Sequence, residues 1–228
     1  MIIVIPARGG SKRLPHKNIH PINGKPLLAY TLEAIAATGL KIPTYVSTDD
    51  ELIAAVARAY PGVEVVMRPA EIASDTASTE SVLLHMLDVL AARGQAPQWL
   101  MTLPPTSPFR TASTIRSFVE ATADCASDID CIMSVTENRG DFWRMQDDGR
   151  MQRLFPDAPR RQQDRTPLFE ENSAVYVSRT QALRTTGFIL GRAVRGIRIP
   201  DIEGFDINNP EDMRLAECLH GVMHGEAN

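Results

Sequence analysis

The sequence has no apolar run long enough to span a membrane. The early run Ile2-Ile3-Val4-Ile5 is interrupted at once by Pro6 and Arg8. A spanning helix and a secretory leader are therefore not expected, and a soluble, cytoplasmic protein is. An excess of positive charge is also missing. The 228 residues carry 24 Lys and Arg against 28 Asp and Glu, a net charge of −4. Nucleic acid and anionic membrane both want a broad basic face, so neither is an expected partner. Cysteine is scarce: Cys125, Cys131 and Cys218 are an odd set without CxxC or His-linked metal spacing. Free thiols in a reducing compartment follow. Several motifs are absent too. No G-x-G-x-x-G follows the first apolar run, which disfavours a dinucleotide oxidoreductase, and no G-x-S-x-G marks a hydrolase elbow. Asn23-Gly24-Lys25-Pro26 resembles the end of a Walker A loop, but Pro26 stands where Ser or Thr is required and the upstream glycine is missing. The five histidines have no metal spacing, and there is no repeat or low-complexity tract.

What the chain does have is alternation of strand and helix signals. Strands are expected at Ile2–Pro6, Thr44–Thr48, Val63–Met67, Trp99–Leu103, Asp130–Thr136, Ser173–Val177 and Ala193–Ile199. Helical spacing occupies residues 26–38 and 79–93. Thr48 and Glu51 stand at capping-box spacing for a helix running to about Tyr60. Thr111 is a candidate cap for another helix. Asn209 and Pro210, with Glu211 and Asp212 in the first turn, mark a last one. This order predicts an α/β fold of three layers, a Rossmann-like, mainly parallel sheet with helices on both faces. Residues 137–170 break the rhythm with glycines, prolines and many charges. A structureless stretch of that length is improbable in a compact domain, so an inserted hairpin or arm is expected there. Residues 1–136 and 171–228 then form one α/β domain.

In an open parallel sheet ligands bind beyond the carboxyl ends of the strands. Four unusual loops leave predicted strands at that edge: residues 7–18, 68–79, 104–111 and 203–209. The first holds Gly9, Gly10 and Ser11 among four fixed cations, Arg8, Lys12, Arg13 and Lys17. Bare backbone with clustered positive charge suits a nucleoside triphosphate, although a solvated basic turn would look similar. The second loop offers Arg68 and small hydroxyl residues for the edge of a planar base. The third, Pro104 to Arg110, is stiffened by three prolines. In the fourth, Asp206 and Asn208 are two apart in an extended segment and point the same way. Two oxygens on one face suit Mg²⁺, while Asn208 alone could equally be a helix cap.

The ordered series is more telling than any single piece. It comprises Ile5-Pro6-Ala7-Arg8-Gly9-Gly10-Ser11-Lys12 with Lys17-Asn18, Ser47-Thr48-Asp49, Arg68-Pro69-Ala70-Glu71 and Ser74-Asp75-Thr76-Ala77. Pro105-Thr106-Ser107-Pro108 with Arg110, Arg161-Gln162-Gln163, Glu171-Asn172 and Asp206-Ile207 complete it. Together these resemble the acylneuraminate (CMP-sialic acid synthetase) family of cytidylyltransferases. The resemblance implies a fold of the nucleotide-diphospho-sugar transferase type. It also implies transfer of CMP from CTP to the anomeric hydroxyl of a nonulosonic acid, with release of pyrophosphate. Arg8, Lys17 and Asn18 match residues that hold the phosphates and ribose, and Arg68, Ala77 and Thr79 match those around cytosine. Asp206 matches a metal-binding carboxylate, with Lys17 and Asp206 the catalytic pair. It further implies a homodimer whose arm reaches the partner's active site. Pro104, Thr106, Ser107 and Asn172 are expected at the acceptor, and Arg161 or Arg165 are candidates for its carboxylate, against a plain reading as solvated surface charges. Three positions depart from the family pattern: Asn208 stands for a second aspartate, Pro104 for a glutamine that touches the sugar acid, and Ser173 for a frequent glycine. The alternatives are the same reaction on Kdo or a related acid, and a non-catalytic nucleotide-sugar-binding protein.

Overall fold

The computed structural model describes residues 1–10, 14–74 and 77–223. In chain order they form β1 (Ile2–Pro6), a small hairpin of β2 (Pro21–Ile22) and β3 (Lys25–Pro26), α1 (Leu27–Ala36), β4 (Thr44–Thr48), α2 (Glu51–Arg58) and β5 (Val63–Met67). Next come α3 (Thr79–Ala92), β6 (Trp99–Thr102), α4 (Ala112–Glu120), β7 (Cys131–Asn138), β8 (Trp143–Met145) and β9 (Met151–Arg153). β10 (Leu168–Arg179), α5 (Thr180–Thr186), β11 (Val194–Arg198) and α6 (Pro210–Met223) complete the fold. No helix among the described residues is long and apolar enough to cross a membrane.

Seven strands make one sheet in the order β11-β7-β10-β6-β1-β4-β5. All neighbours are parallel except β10, which runs antiparallel to both β6 and β7. β1 lies centrally and is covered on both faces, which is why it reads as an unbroken apolar run. Its side chains alternate between two layers. Ile3 and Ile5 pack with Val46, Met101, Phe118 and Ile132, whereas Ile2 and Val4 pack with Leu83, Met86, Leu90 and Leu100. Phe118 is fully buried, and truncating such a side chain to Ala typically costs about 3–5 kcal/mol. Burial also pushes the Cys131 thiol up to about 11, which leaves it protonated and inert.

The helix starts show which local signals prevailed. Thr111 caps α4 by accepting from Thr114 N at 3.2 Å, and Asn209 Oδ1 accepts from Asp212 N at 2.9 Å at the head of α6. The expected capping box at Thr48 does not form. Asp50 is the cap of α2, its Oδ1 accepting from Leu52 N and Ile53 N, while Thr48 is the last strand residue and Thr48 Oγ1 accepts from Asp50 N. The strand ladder with β5, which pairs Thr48 with Met67, holds Thr48 in the sheet and shifts the cap by two residues.

Residues 137–170 are ordered. β7 and β10 pair from Glu171↔Val135 out to Leu168↔Asn138, so the segment is the elaborated end of a long hairpin. β8 and β9 form a smaller hairpin within it. Asp141 pins its base by ion pairs to Arg153 at 2.8 Å, Arg165 at 3.3 Å and Arg160 at 3.5 Å. Those guanidinium groups hold the Asp141 carboxyl below its ordinary range.

Candidate active site

The carboxyl edge of the parallel strands gathers the four loops. Where β1 ends, Ala7 N donates to Ser47 O at 2.9 Å, and the chain turns through Arg8 into the glycines. The loop returns at a short 3₁₀ turn, Lys17–Ile19, entered through His16 in the left-handed region at φ 52°. Asn18 is buried and its Nδ2 donates to Arg8 O at 2.9 Å, tying the two ends of the loop together. The loop is fastened to its neighbour as well, since Gly9 N donates to Asp49 Oδ1 at 3.0 Å. Glycine is required there: a Cβ on Gly9 would lie 2.5 Å from Asp50 Oδ2.

Arg8, Lys17 and Asn18 line a cavity of about 320 Å³ together with Arg68, Ala77, Ser78, Thr79, Pro104, Pro105 and Thr106. Arg68, directly after β5, is held by β4: its Nε donates to Ser47 Oγ at 3.1 Å and its Nη2 to Ser47 O at 2.8 Å. Burial pulls the Arg68 guanidinium down to about 10, against Asp49, which pulls it up, and alongside Arg8, which also lowers it; it is a cation at neutral pH. Ala77, Ser78 and Thr79 open α3, a helix of 14 residues, so its positive end faces the same space. Three fixed cations and a helix N-terminus over one hollow form an arrangement able to hold a polyphosphate.

Lys17 also reaches the fourth loop, its Nζ donating to Ile207 O at 3.0 Å, while Ile207 N donates to Thr106 O at 2.9 Å. Ile207 lies between Asp206 and Asn208, which line a second cavity of about 480 Å³ with Glu137, Glu170, Glu171, Asn172, Ser173 and Asp201. Because β10 is reversed in the sheet, its early residues lie at the carboxyl edge of its neighbours and reach this cavity. Ser173 takes φ 59° in the irregularity between Glu171 and Tyr176, the left-handed conformation that favours glycine. Tyr176 OH donates to Glu171, and Ser173 Oγ lies 3.1 Å from the same phenol oxygen. Burial and the Glu171 carboxylate push the Tyr176 phenol up.

Asn208 Nδ2 donates to Asp206 Oδ2 at 2.7 Å, so the two side chains share a face, and capping of α6 falls to Asn209. A carboxylate and an amide fit Mg²⁺, which takes one or two protein oxygens and completes its shell with phosphate and water. Among the described residues no cluster of three or more His, Cys, Asp or Glu could hold a metal alone, so this donor set suits an ion carried by a nucleotide.

Not every expected residue meets at these cavities. Gly9 and Gly10 lie on a separate hollow beside His16, Asp49 and Asp50. Ser107 is fully buried behind its loop, and its Oγ has no partner among the described residues. Arg165 is drawn inward to Asp141 and to the carbonyls of Pro159, Arg139 and Arg160, so its donors serve the arm. Arg161 is exposed on the arm. Ser11 lies outside the described residues. Ser47 and Asp49, which belong to the ordered motif series but carried no assigned role in it, fasten Arg68 and Gly9.

A family model described as cytidylyltransferase matches residues 2–182. The N-acylneuraminate cytidylyltransferase of Escherichia coli is 30% identical over 95% of this chain, which spans 51% of that relative. The pseudaminic acid cytidylyltransferase of Campylobacter jejuni is 27% identical, with 99% of this chain and 98% of the relative covered. The CMP-N,N'-diacetyllegionaminic acid synthase of Legionella pneumophila is 28% identical over 96% of this chain and 95% of its own length. Among solved structures, a CMP:2-keto-3-deoxy-manno-octonic acid synthetase superposes with a TM-score of 0.67 at 17% identity, covering 99% of both chains, and shares the fold. The family match runs from β1 through the first loop, the Arg68 loop and the reversed strand β10, and on this ground the chain belongs to the cytidylyltransferase family.

Proposed function

We propose that the chain transfers CMP from CTP to the anomeric hydroxyl of a nonulosonic, sialic-type acid and releases pyrophosphate. The observation that carries this reading is the Lys17 Nζ to Ile207 O hydrogen bond of 3.0 Å, which holds the cationic loop one residue from Asp206. The hydroxyl oxygen attacks the α-phosphorus, the bond from that phosphorus to the bridging oxygen breaks, and pyrophosphate departs with the electron pair. The hydroxyl proton passes to a base, and Asp206 at the wall of the second cavity is the candidate. Arg8, Lys17 and Arg68 offset the triphosphate's charge, while Ala77 and Thr79 flank the base. Asp206 and Asn208 would hold Mg²⁺, which supplies further charge neutralisation at the phosphates when bound.

The second cavity is the place for the acceptor. Among the described residues its lining holds Glu137, Glu170, Glu171, Asp201 and Asp206 and no lysine or arginine, so the cation that an acidic sugar needs comes from elsewhere. The exposed Arg161 on the arm of a second copy meets that need in a homodimer. Trp143, Met145, Met151, Phe155 and Phe169 are exposed along the arm, and an apolar surface of this kind supports its burial between subunits. The proposed reaction, which draws on CTP, goes with a cytoplasmic location.

The named relatives favour acylneuraminic, pseudaminic or legionaminic acid as acceptor. Pyrophosphate release measured with each nucleoside triphosphate and a panel of those acids, Kdn and Kdo tests the reading. Turnover is expected only with CTP, Mg²⁺ and a sialic-type acid. Turnover confined to Kdo would change the acceptor, and tight CTP binding without turnover on any acid would make the chain a binding protein.

A further inference from the structure

Between the two cavities lies a buried cation to which the reaction above gives no task. Arg110, 3% exposed, follows the proline loop that leaves β6. Its Nη1 donates to Ala174 O at 2.5 Å, and its Nη2 to Thr31 Oγ1 at 2.9 Å and Pro104 O at 3.1 Å. Pro104 is a wall of the nucleotide-facing cavity. Ala174 follows Asn172 and Ser173, which are walls of the acid-lined cavity. The planar guanidinium thus joins both walls to each other and to α1, a geometry that an ammonium on a flexible stem cannot reproduce. The left-handed Ser173 lies in this span, and Ala174 N donates to Asn172 Oδ1 at 3.2 Å.

Burying this cation is costly. Desolvation pulls Arg110 down to about 9, countered by Glu203, which is itself buried and accepts from Thr111 N at 2.9 Å. Polar satisfaction is also incomplete here. Arg110 Nε, Ser107 Oγ, Thr102 Oγ1 and Asn172 Nδ2 are buried without a partner among the described residues. All four belong to segments that meet at Arg110. A well-packed apolar side chain would avoid both costs, so stability does not account for the arginine.

We infer that Arg110 is a positioning residue for nucleotidyl transfer: it fixes the spacing between the wall against the nucleotide and the wall against the acceptor. The inference rests on the transfer reading above. Misplacement of two reactants by about 1 Å can cost on the order of 100-fold in rate, and such an effect falls on the chemical step rather than on binding of either substrate.

The test compares Arg110→Met, Arg110→Lys and Thr31→Val with the unsubstituted chain. It reads kcat, both KM values, CTP binding by calorimetry and the melting temperature. Arg110→Met is expected to lower kcat on the order of 100-fold while CTP binding changes less than threefold, with Arg110→Lys recovering part of the loss. Thr31→Val touches neither cavity and removes one anchor. It is expected to keep the chain folded and to lower kcat about three- to tenfold at unchanged KM, and it decides the matter if Arg110→Met does not fold. Variants that melt earlier yet keep kcat within twofold would overturn the inference and leave the transfer reading standing. No transfer by the unsubstituted chain on any acid would overturn both.

Discussion

The proposed chemistry on the carboxyl-terminal side of the site rests on Asp206 and Asn208. Asp206 lines the acid-rich cavity, while the exposed Asn208 turns its amide onto it at 2.7 Å. Neither is part of the core, so Asp206→Ala should melt within a few degrees of the parent. Its kcat is expected to fall by about 10²-fold or more, the scale seen when one charge-stabilising group is removed. Steady-state assay beside a thermal melt checks both halves; near-parental turnover would contradict the assignment. Gly204 gives a residue-scale probe of the acceptor side. A Cβ there would stand 2.8 Å from Asn172 Nδ2 and 2.9 Å from Thr136 Cγ2. Gly204→Ala should therefore raise the KM for the sugar acid and leave the KM for CTP unchanged. Equal shifts in both would contradict two separate subsites.

At the scale of elements, the strands were legible because periodicity carries them. β1, β4 and β5 occupy the expected residues, and α3 lies within the expected stretch. The cap of α2 was not legible. Two acceptors, Thr48 and Asp50, compete within three residues, and only the pairing of Thr48 with Met67 decides for Asp50. Which loops share an edge was legible to the same degree. Loops at strand ends could be assigned to one edge, so Arg8, Lys17, Arg68 and Thr106 share a cavity. Which atoms of a loop face inward depends on tertiary hydrogen bonds that sequence does not encode locally. Gly9 therefore spends its N–H on Asp49, Ser107 points inward, and Arg165 is captured by Asp141. The Gly9 contact makes a prediction for the loop as a whole. Gly9→Ala must displace Asp50, the cap of α2, and loss of such a cap costs typically ~1 kcal/mol. A lower melting temperature together with a raised KM for CTP is expected, whereas a stability loss at unchanged KM would show that the loop tolerates the shift.

On the scale of the whole molecule, one reversed strand organises the architecture. β10 enters the sheet from the arm, against the direction of β6 and β7, and so brings arm, acid-lined cavity and core into one continuous element. The arm's exposed apolar side chains are the surface on which the proposed dimer is tested. Phe169→Glu combined with Trp143→Glu should shift sedimentation from dimer toward monomer and depress turnover with it; a parental dimer with both substitutions would remove the arm from the interface.

The central claim is that cations on the first loop and a carboxylate near the last helix serve one nucleotide, whose α-phosphorus is transferred to a sugar acid. Its most direct measurement is product analysis of a reaction holding CTP, Mg²⁺ and a nonulosonic acid. The account predicts one pyrophosphate released for each CMP joined to the anomeric oxygen, with no product when CTP is omitted. CTP recovered intact beside every acid offered would contradict it.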